Sequence, residues 1–96
     1  MDINQLIEKS HEIAKKKGFW DNKRPISECL MLIVTELSEA CEADREGNWK
    51  NFKEEIADTF IRLGDLCGYL EIDLNKEIQR KMRINEKRGY KHGKIY

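Results

Sequence analysis

The stretch Leu30-Met31-Leu32-Ile33-Val34-Thr35-Glu36-Leu37-Ser38-Glu39-Ala40 decides how this chain is read. An unbroken apolar run from Leu30 to Val34 is followed by two acids three positions apart. Ile26, Leu30, Ile33, Val34, Leu37, Ala40 and Cys41 follow i, i+3, i+4, i+7 spacing, the period of an apolar helix face. Met31 and Leu32 add apolar surface on the other side. The segment Cys29–Val34 is therefore apolar all round, which places it at the centre of a bundle or between copies of an oligomer. Three residues is almost one helical turn, so Glu36 and Glu39 project from one face of this apolar helix.

The same spacing returns at Glu55 and Asp58, 16 and 19 residues after Glu39. These acids also lie in apolar helical sequence, which carries Phe52, Ile56, Phe60, Leu63, Cys67 and Leu70. The break at Gly47 leaves only a short connection, so the two helices are expected to fold back as an antiparallel hairpin. Glu39 is then two turns from the end of one helix, and Glu55 and Asp58 fall in the first two turns of the next. Four carboxylates at similar heights on facing helices repel one another unless a cation joins them. Their oxygens suit a hard divalent ion, Mg²⁺ or Mn²⁺, which commonly shares its coordination with phosphates. The alternative is solvated acids paired with bases one turn away. No base lies four residues from Glu36 or Glu39, although Asp58 has Arg62. The Cys and His residues are too scattered for a zinc site.

Working outward, the first helix is expected from Ile3 to Lys17, capped by Asp2 with Gln5 three residues on. Gly18 to Arg24 reads as a loop carrying Phe19 and Trp20, and Pro25 opens the helix that runs to about Glu46. Asn51, with Glu54 three later, is the expected cap of the third helix. Gly64 and Gly68 lie on that helix, where each costs about 1 kcal/mol of propensity unless close helix approach requires it. Asp73 caps a fourth helix with Leu74, Ile78 and Met82, ending near Gly89, and residues 89–96 form a tail. Four helices, no strand and short loops predict an all-α, four-helix antiparallel bundle, one domain over 1–96. So short a chain buries a modest core, and oligomerisation is expected to complete it.

Net charge is zero, with 18 basic and 18 acidic residues, but the distribution is uneven. Residues 28–58 hold nine acids against Arg45, Lys50 and Lys53. Residues 80–94 hold Arg80, Lys81, Arg83, Lys87, Arg88, Lys91 and Lys94 against Glu86. An acidic middle and a basic end suit one polyanionic small ligand, the first through a metal and the second directly. A nucleic-acid polymer is not expected as partner. Cys29, Cys41 and Cys67 fall on apolar helical positions without C-x-x-C spacing, so buried free thiols are expected, as in a reducing cytosol. The N-terminus has no apolar signal region and no run reaches membrane-spanning length, so a soluble cytoplasmic protein is expected.

Several blocks together resemble the MazG-like all-α nucleoside triphosphate pyrophosphohydrolases over almost the whole chain. They are Gly18-Phe19-Trp20, the run from Leu30 to Ala40, and Glu54-Glu55-Ile56-Ala57-Asp58. Lys81-Met82 through Asn85, Arg88-Gly89-Tyr90 and His92-Gly93 complete them. The resemblance implies Mg²⁺-dependent hydrolysis of nucleoside triphosphates, NTP or dNTP, to monophosphate and pyrophosphate. It implies a homodimer or homotetramer, and a role in clearing unwanted nucleotides. Glu36, Glu39, Glu55 and Asp58 would hold the metal, while Lys81, Asn85 and Arg88 would face the phosphates or sugar. The reaction expected is metal-assisted attack of water at the α-phosphorus, with Glu36 or Glu55 orienting and deprotonating the water. Lys81 and Arg88 would offset charge on the leaving pyrophosphate. Some relatives carry another Glu just before the first signature acid; here that position is Thr35, so the resemblance does not assign the general base.

Trp20 is a candidate to stack a nucleobase, since aromatic faces accept any base; packing over the core is the alternative for it and the reading preferred for Phe19. Trp49 is read as a staple of the hairpin turn. His11 follows Glu8 as one E-x-x-H, whereas a di-iron bundle needs two, so a partly exposed His is expected. His92, in the tail, is within chain reach of phosphate. Beside the enzyme stands a second reading: a non-catalytic metal–nucleotide-binding or structural oligomerisation module.

Overall fold

The computed structural model describes residues 1–93, with side chains through Lys91. The His92 side chain, Lys94 and the end of the 89–96 tail lie outside the described residues. Among the described residues there are four α-helices, one terminal 3₁₀ turn over Tyr90–Gly93 and no strand. Helix α1 (Ile3–Lys16) starts with the expected capping box. Asp2 accepts from the Gln5 N–H at 2.8 Å, and its own N–H donates to the Gln5 side chain at 2.8 Å. Pro25 stands immediately before α2 (Ile26–Arg45) rather than inside it.

The hairpin turn departs from the expected cap. The residue capping α3 (Trp49–Tyr69) is Asn48, whose side chain accepts from the Asn51 N–H at 3.1 Å, so Asn51 is the donor and not the cap. The cause is the stop of α2. Gly47, at φ +71°, donates to the Asp44 carbonyl at 3.0 Å, and Asn48 N–H reaches the Ala43 carbonyl at 2.8 Å. This left-handed closure reverses the chain within three residues, so α3 restarts at once. Asp73 caps α4 (Leu74–Glu86) as expected, accepting from the Lys76 N–H at 3.2 Å. Because α4 stops at Glu86, Arg88 lies in the following turn and not on a helical face with Lys81 and Asn85.

Helix α3 is the centre of the fold: α2 packs along it on one side and α1 on another, while α4 leans on α1. The α1–α3 approach explains both helical glycines. A Cβ at Gly68 would stand 2.6 Å from the His11 Cβ, and one at Gly64 would stand 3.3 Å from Ser10 Oγ. Cys29, Ile33 and Leu66 form the core, with Trp20, Leu63 and Leu70 against it. No helix among the described residues is long and apolar enough to cross a membrane.

The apolar stripe of α2 is rotated from the one expected. Its buried residues are Cys29, Ile33, Glu36, Ala40 and Ala43, while Leu30, Val34 and Leu37 stay about half exposed and Cys41 is exposed. A helix that is apolar all round does not declare its inner face by periodicity. Here the small side chains Cys29, Ala40 and Ala43 face α3 and let the backbones approach, and the bulky ones point out. Cys29 and Cys67 are buried free thiols as expected; Cys41 is free but not buried.

Candidate functional site

The rotated stripe gives Glu36 a core position: it sits in the series 29, 33, 36, 40, 43 that α2 turns toward α3. On α3 the buried series begins with Glu55, one and a half turns in. The hairpin therefore brings together acids from both helices. Oxygens of Glu36, Glu39 and Glu55 all lie within 4.8 Å of one another. Glu36 and Glu55 are 8% and 9% exposed, so water cannot screen them as it does surface acids. Asp58 is exposed and stands outside this tight trio; it lines the adjoining cavity with Glu36.

The electrostatics of the trio are uneven. Glu36 accepts a 2.7 Å hydrogen bond from Arg62 Nε, and this bond above all holds its pKa below the ordinary value. Glu55 is pushed up to about 8, first by the carboxyl of Glu39 and then by that of Glu36, with burial adding to both. A proton kept on Glu55 relieves repulsion that full ionisation would create. Even so, Glu55 Oε2 is buried without a hydrogen-bond partner. An orphaned buried oxygen on a carboxylate grouped with two others is what a bound cation would satisfy. Oxygens on one octahedral Mg²⁺, each about 2.1 Å from the ion, lie at most about 4.2 Å apart, so oxygens within 4.8 Å of one another reach that spacing with a small side-chain shift. The donor set is oxygen only, which suits a hard divalent ion.

Compared with known proteins, this chain matches no protein-family profile, no curated protein and no solved structure. The site is therefore read from its own geometry.

Beside the trio opens a cavity of 280 Å³. Glu36, Asp58, Arg62 and Asp65 line one part; Arg24, Ile13, Phe19 and Ile61, with the small Ser10 and Ala14, line the rest. Carboxylates, two guanidiniums and an apolar wall together suit a ligand with both charged and flat apolar parts. Asp58, Arg62 and Asp65 share one face of α3 at i, i+4, i+7, a pattern visible in the sequence. Sequence reasoning nevertheless gave Arg62 to Asp58, its neighbour one turn back, and left out Arg24 and Asp65. No local signal marks Arg24 as a cavity residue.

Other expected site residues lie apart. Lys81, Asn85 and Arg88 are exposed and line no part of this cavity, because α4 rests on α1. Trp20 is half-buried: one ring face stacks on Tyr69 at 4.0 Å, and its indole N–H donates to Asp65 Oδ1 at 2.8 Å. Its outer neighbours are Arg24, Arg62 and Asp65, so it stands next to the cavity rather than in it. His11 Nδ1 donates to the same Asp65 oxygen at 2.8 Å and is half-buried. Phe19 is about half exposed on the cavity wall, not a core lid. Trp49 stacks on Phe52 at 4.7 Å across the first turn of α3. The Thr35 hydroxyl donates to the Met31 carbonyl at 3.1 Å, so it is engaged with its own helix.

Proposed function

We propose that the chain is a divalent-metal-dependent nucleoside triphosphate pyrophosphohydrolase of the MazG-like kind. The observation that carries this reading is the Glu36–Glu39–Glu55 trio, with Glu36 and Glu55 buried, Glu39 exposed and one Glu55 oxygen unpartnered, set beside a cavity bearing two arginines. Glu36, Glu39 and Glu55 hold the ion, with Asp58 at the cavity edge able to join them. Such an ion, Mg²⁺ or Mn²⁺, polarises a phosphoryl oxygen and makes water more acidic. Glu36 or Glu55, both freed of protons once the ion is bound, is the carboxylate placed to orient the attacking water and take its proton. Arg24 and Arg62 face the phosphates in the cavity, and Phe19, Ile13 and Ile61 offer apolar surface to the base or sugar.

The same reading includes assembly. Leu30, Met31, Val34 and Leu37 on α2, with Phe60 on α3, expose far more apolar surface than scattered residues would. A homodimer or homotetramer buries that face. The phosphate-contacting role of Lys81, Asn85 and Arg88 is proposed for this assembly rather than for one chain.

Pyrophosphate release from a panel of NTPs and dNTPs, with and without Mg²⁺, tests the activity. Mg²⁺-dependent turnover of one or more substrates is expected. Nucleotide-dependent thermal stabilisation with no turnover would instead establish the non-catalytic binding module.

A further inference from the structure

Arg62 is the one cation within ion-pair distance of the acid trio among the described residues. It reaches across from α3 to Glu36 on α2 instead of pairing with Asp58, one turn away on its own helix. The contact is a single bond, Nε to Oε1 at 2.7 Å. A two-pronged guanidinium–carboxylate fork would hold both partners more firmly. The two ends also differ in freedom. The Glu36 side chain is 11% exposed and hemmed in by α3, whereas that of Arg62 is 37% exposed and borders the open cavity.

We propose that Arg62 is the resident counter-ion of the acid trio, and that it gives up Glu36 when a divalent cation takes the carboxylates. This inference rests on reading the trio as a metal site. A guanidinium and a divalent ion bonded to the same carboxylate stand only a few ångströms apart and repel. The buried Glu36 stays; the half-exposed arginine turns into the cavity, where it presents its donors to an anionic ligand. Without metal, Arg62 keeps the trio from accumulating uncompensated charge. With metal, the same group becomes available to phosphate. Arg62 and the cation are thus competitors for one ligand. A fixed arginine that merely holds Glu36 in place for the metal would make the two cooperate.

The sign of that coupling is the test. Mg²⁺ affinity is measured calorimetrically for wild type, Arg62→Gln and Arg62→Lys, without nucleotide and at alkaline pH where protons compete least. Metal-free melting temperatures are recorded alongside. Competition predicts that Arg62→Gln melts lower without metal yet binds Mg²⁺ roughly fivefold tighter, the free energy of one partly exposed ion pair returned to the metal. Arg62→Lys, which keeps charge without the guanidinium geometry, falls between. Mg²⁺ binding that is unchanged or weaker in Arg62→Gln overturns the proposal; should that variant not fold, the direction of change in Arg62→Lys decides. If wild type itself binds no Mg²⁺, the metal-site reading fails, and the silent wild type tells that failure apart.

Discussion

Two polar clusters share α3, and they differ in completeness. Toward its C-terminal half, Asp65 Oδ1 accepts from both His11 and Trp20, and Trp20 stacks on Tyr69. That cluster joins α1, the loop after it and α3, and among the described residues it leaves no fully buried side-chain N or O atom without a partner. Toward the N-terminal half, three acids face one another, one held by Arg62 and one leaving an oxygen unpaired. The first cluster is closed and holds the fold together. The second is open, and under the proposed function its missing partner is a cation. A polar group buried for stability finds its partners within the chain; one buried for function leaves a place for something else.

The largest expected effect breaks the open cluster. Changing Glu36 and Glu55 together to Gln should lower Mg²⁺-dependent pyrophosphate release at least about a hundredfold. Full activity in that double variant would remove the site from consideration. Metal-free melting should rise in Glu55→Gln, because the substitution removes a buried acid from two like neighbours.

The closed cluster should respond in the opposite way. Asp65→Ala deprives the Trp20 indole N–H and His11 of their shared acceptor, and should cost about 2–4 kcal/mol. For a domain of this size that is a fall in melting temperature of roughly 10–20 °C, readable by circular dichroism. An unaltered melting point would show that the cluster does not brace α1 against α3.

Acidity gives a third contrast, confined to the open cluster. Glu55 is pushed up from 4.5 to about 8 in the fold. The folded protein keeps a proton that the unfolded chain releases, so this group's stabilisation is fully present below 4.5 and is lost as pH rises through about 8. Glu36 is lowered, chiefly by Arg62, so its contribution is present above 4.5 and is lost as pH falls through its folded value. An added divalent cation must displace the Glu55 proton, so Mg²⁺ should raise the melting temperature more as pH climbs through about 8. Melting scans across pH, with Mg²⁺ or with a chelator, read this directly. A Mg²⁺ effect flat across that range would contradict a proton held on Glu55.

The smallest effect lies away from both clusters. Glu71 follows α3 at φ 57°, the position Gly18 and Gly47 hold after α1 and α2. Glu71→Gly should stabilise the protein by roughly 0.5–1 kcal/mol, because glycine adopts that conformation without strain. A gain in melting temperature without change in activity is expected.

Much of the fold was legible locally. Asp2 with Gln5, Asp73 before Leu74 and Gly18 after the lysines mark helix ends through bonds between residues one turn apart. The acid spacings were legible for the same reason, but the face they occupy was not: Glu55 joins Glu36 and Glu39 while Asp58, three residues on, stays exposed outside the trio. The cap at Asn48 was missed because the left-handed turn at Gly47 sets where α3 begins, and a residue pattern such as Asn51 with Glu54 does not encode that turn.

The sequence by itself determined the four helices, the hairpin and the spacing of the acid pairs along it. Only the tertiary structure decided which side of α2 faces α3, and with it that Glu36 occupies a core position. It also decided that Arg62 serves Glu36 rather than Asp58, that Asp58 stands at the cavity edge, and that α4 lies on α1 away from the acids. The physical reason is range. Caps and helical spacings are settled by neighbours within a turn, where sequence distance and spatial distance agree. The inner face of an all-apolar helix and the partner of a long side chain are settled by packing between helices, where they do not.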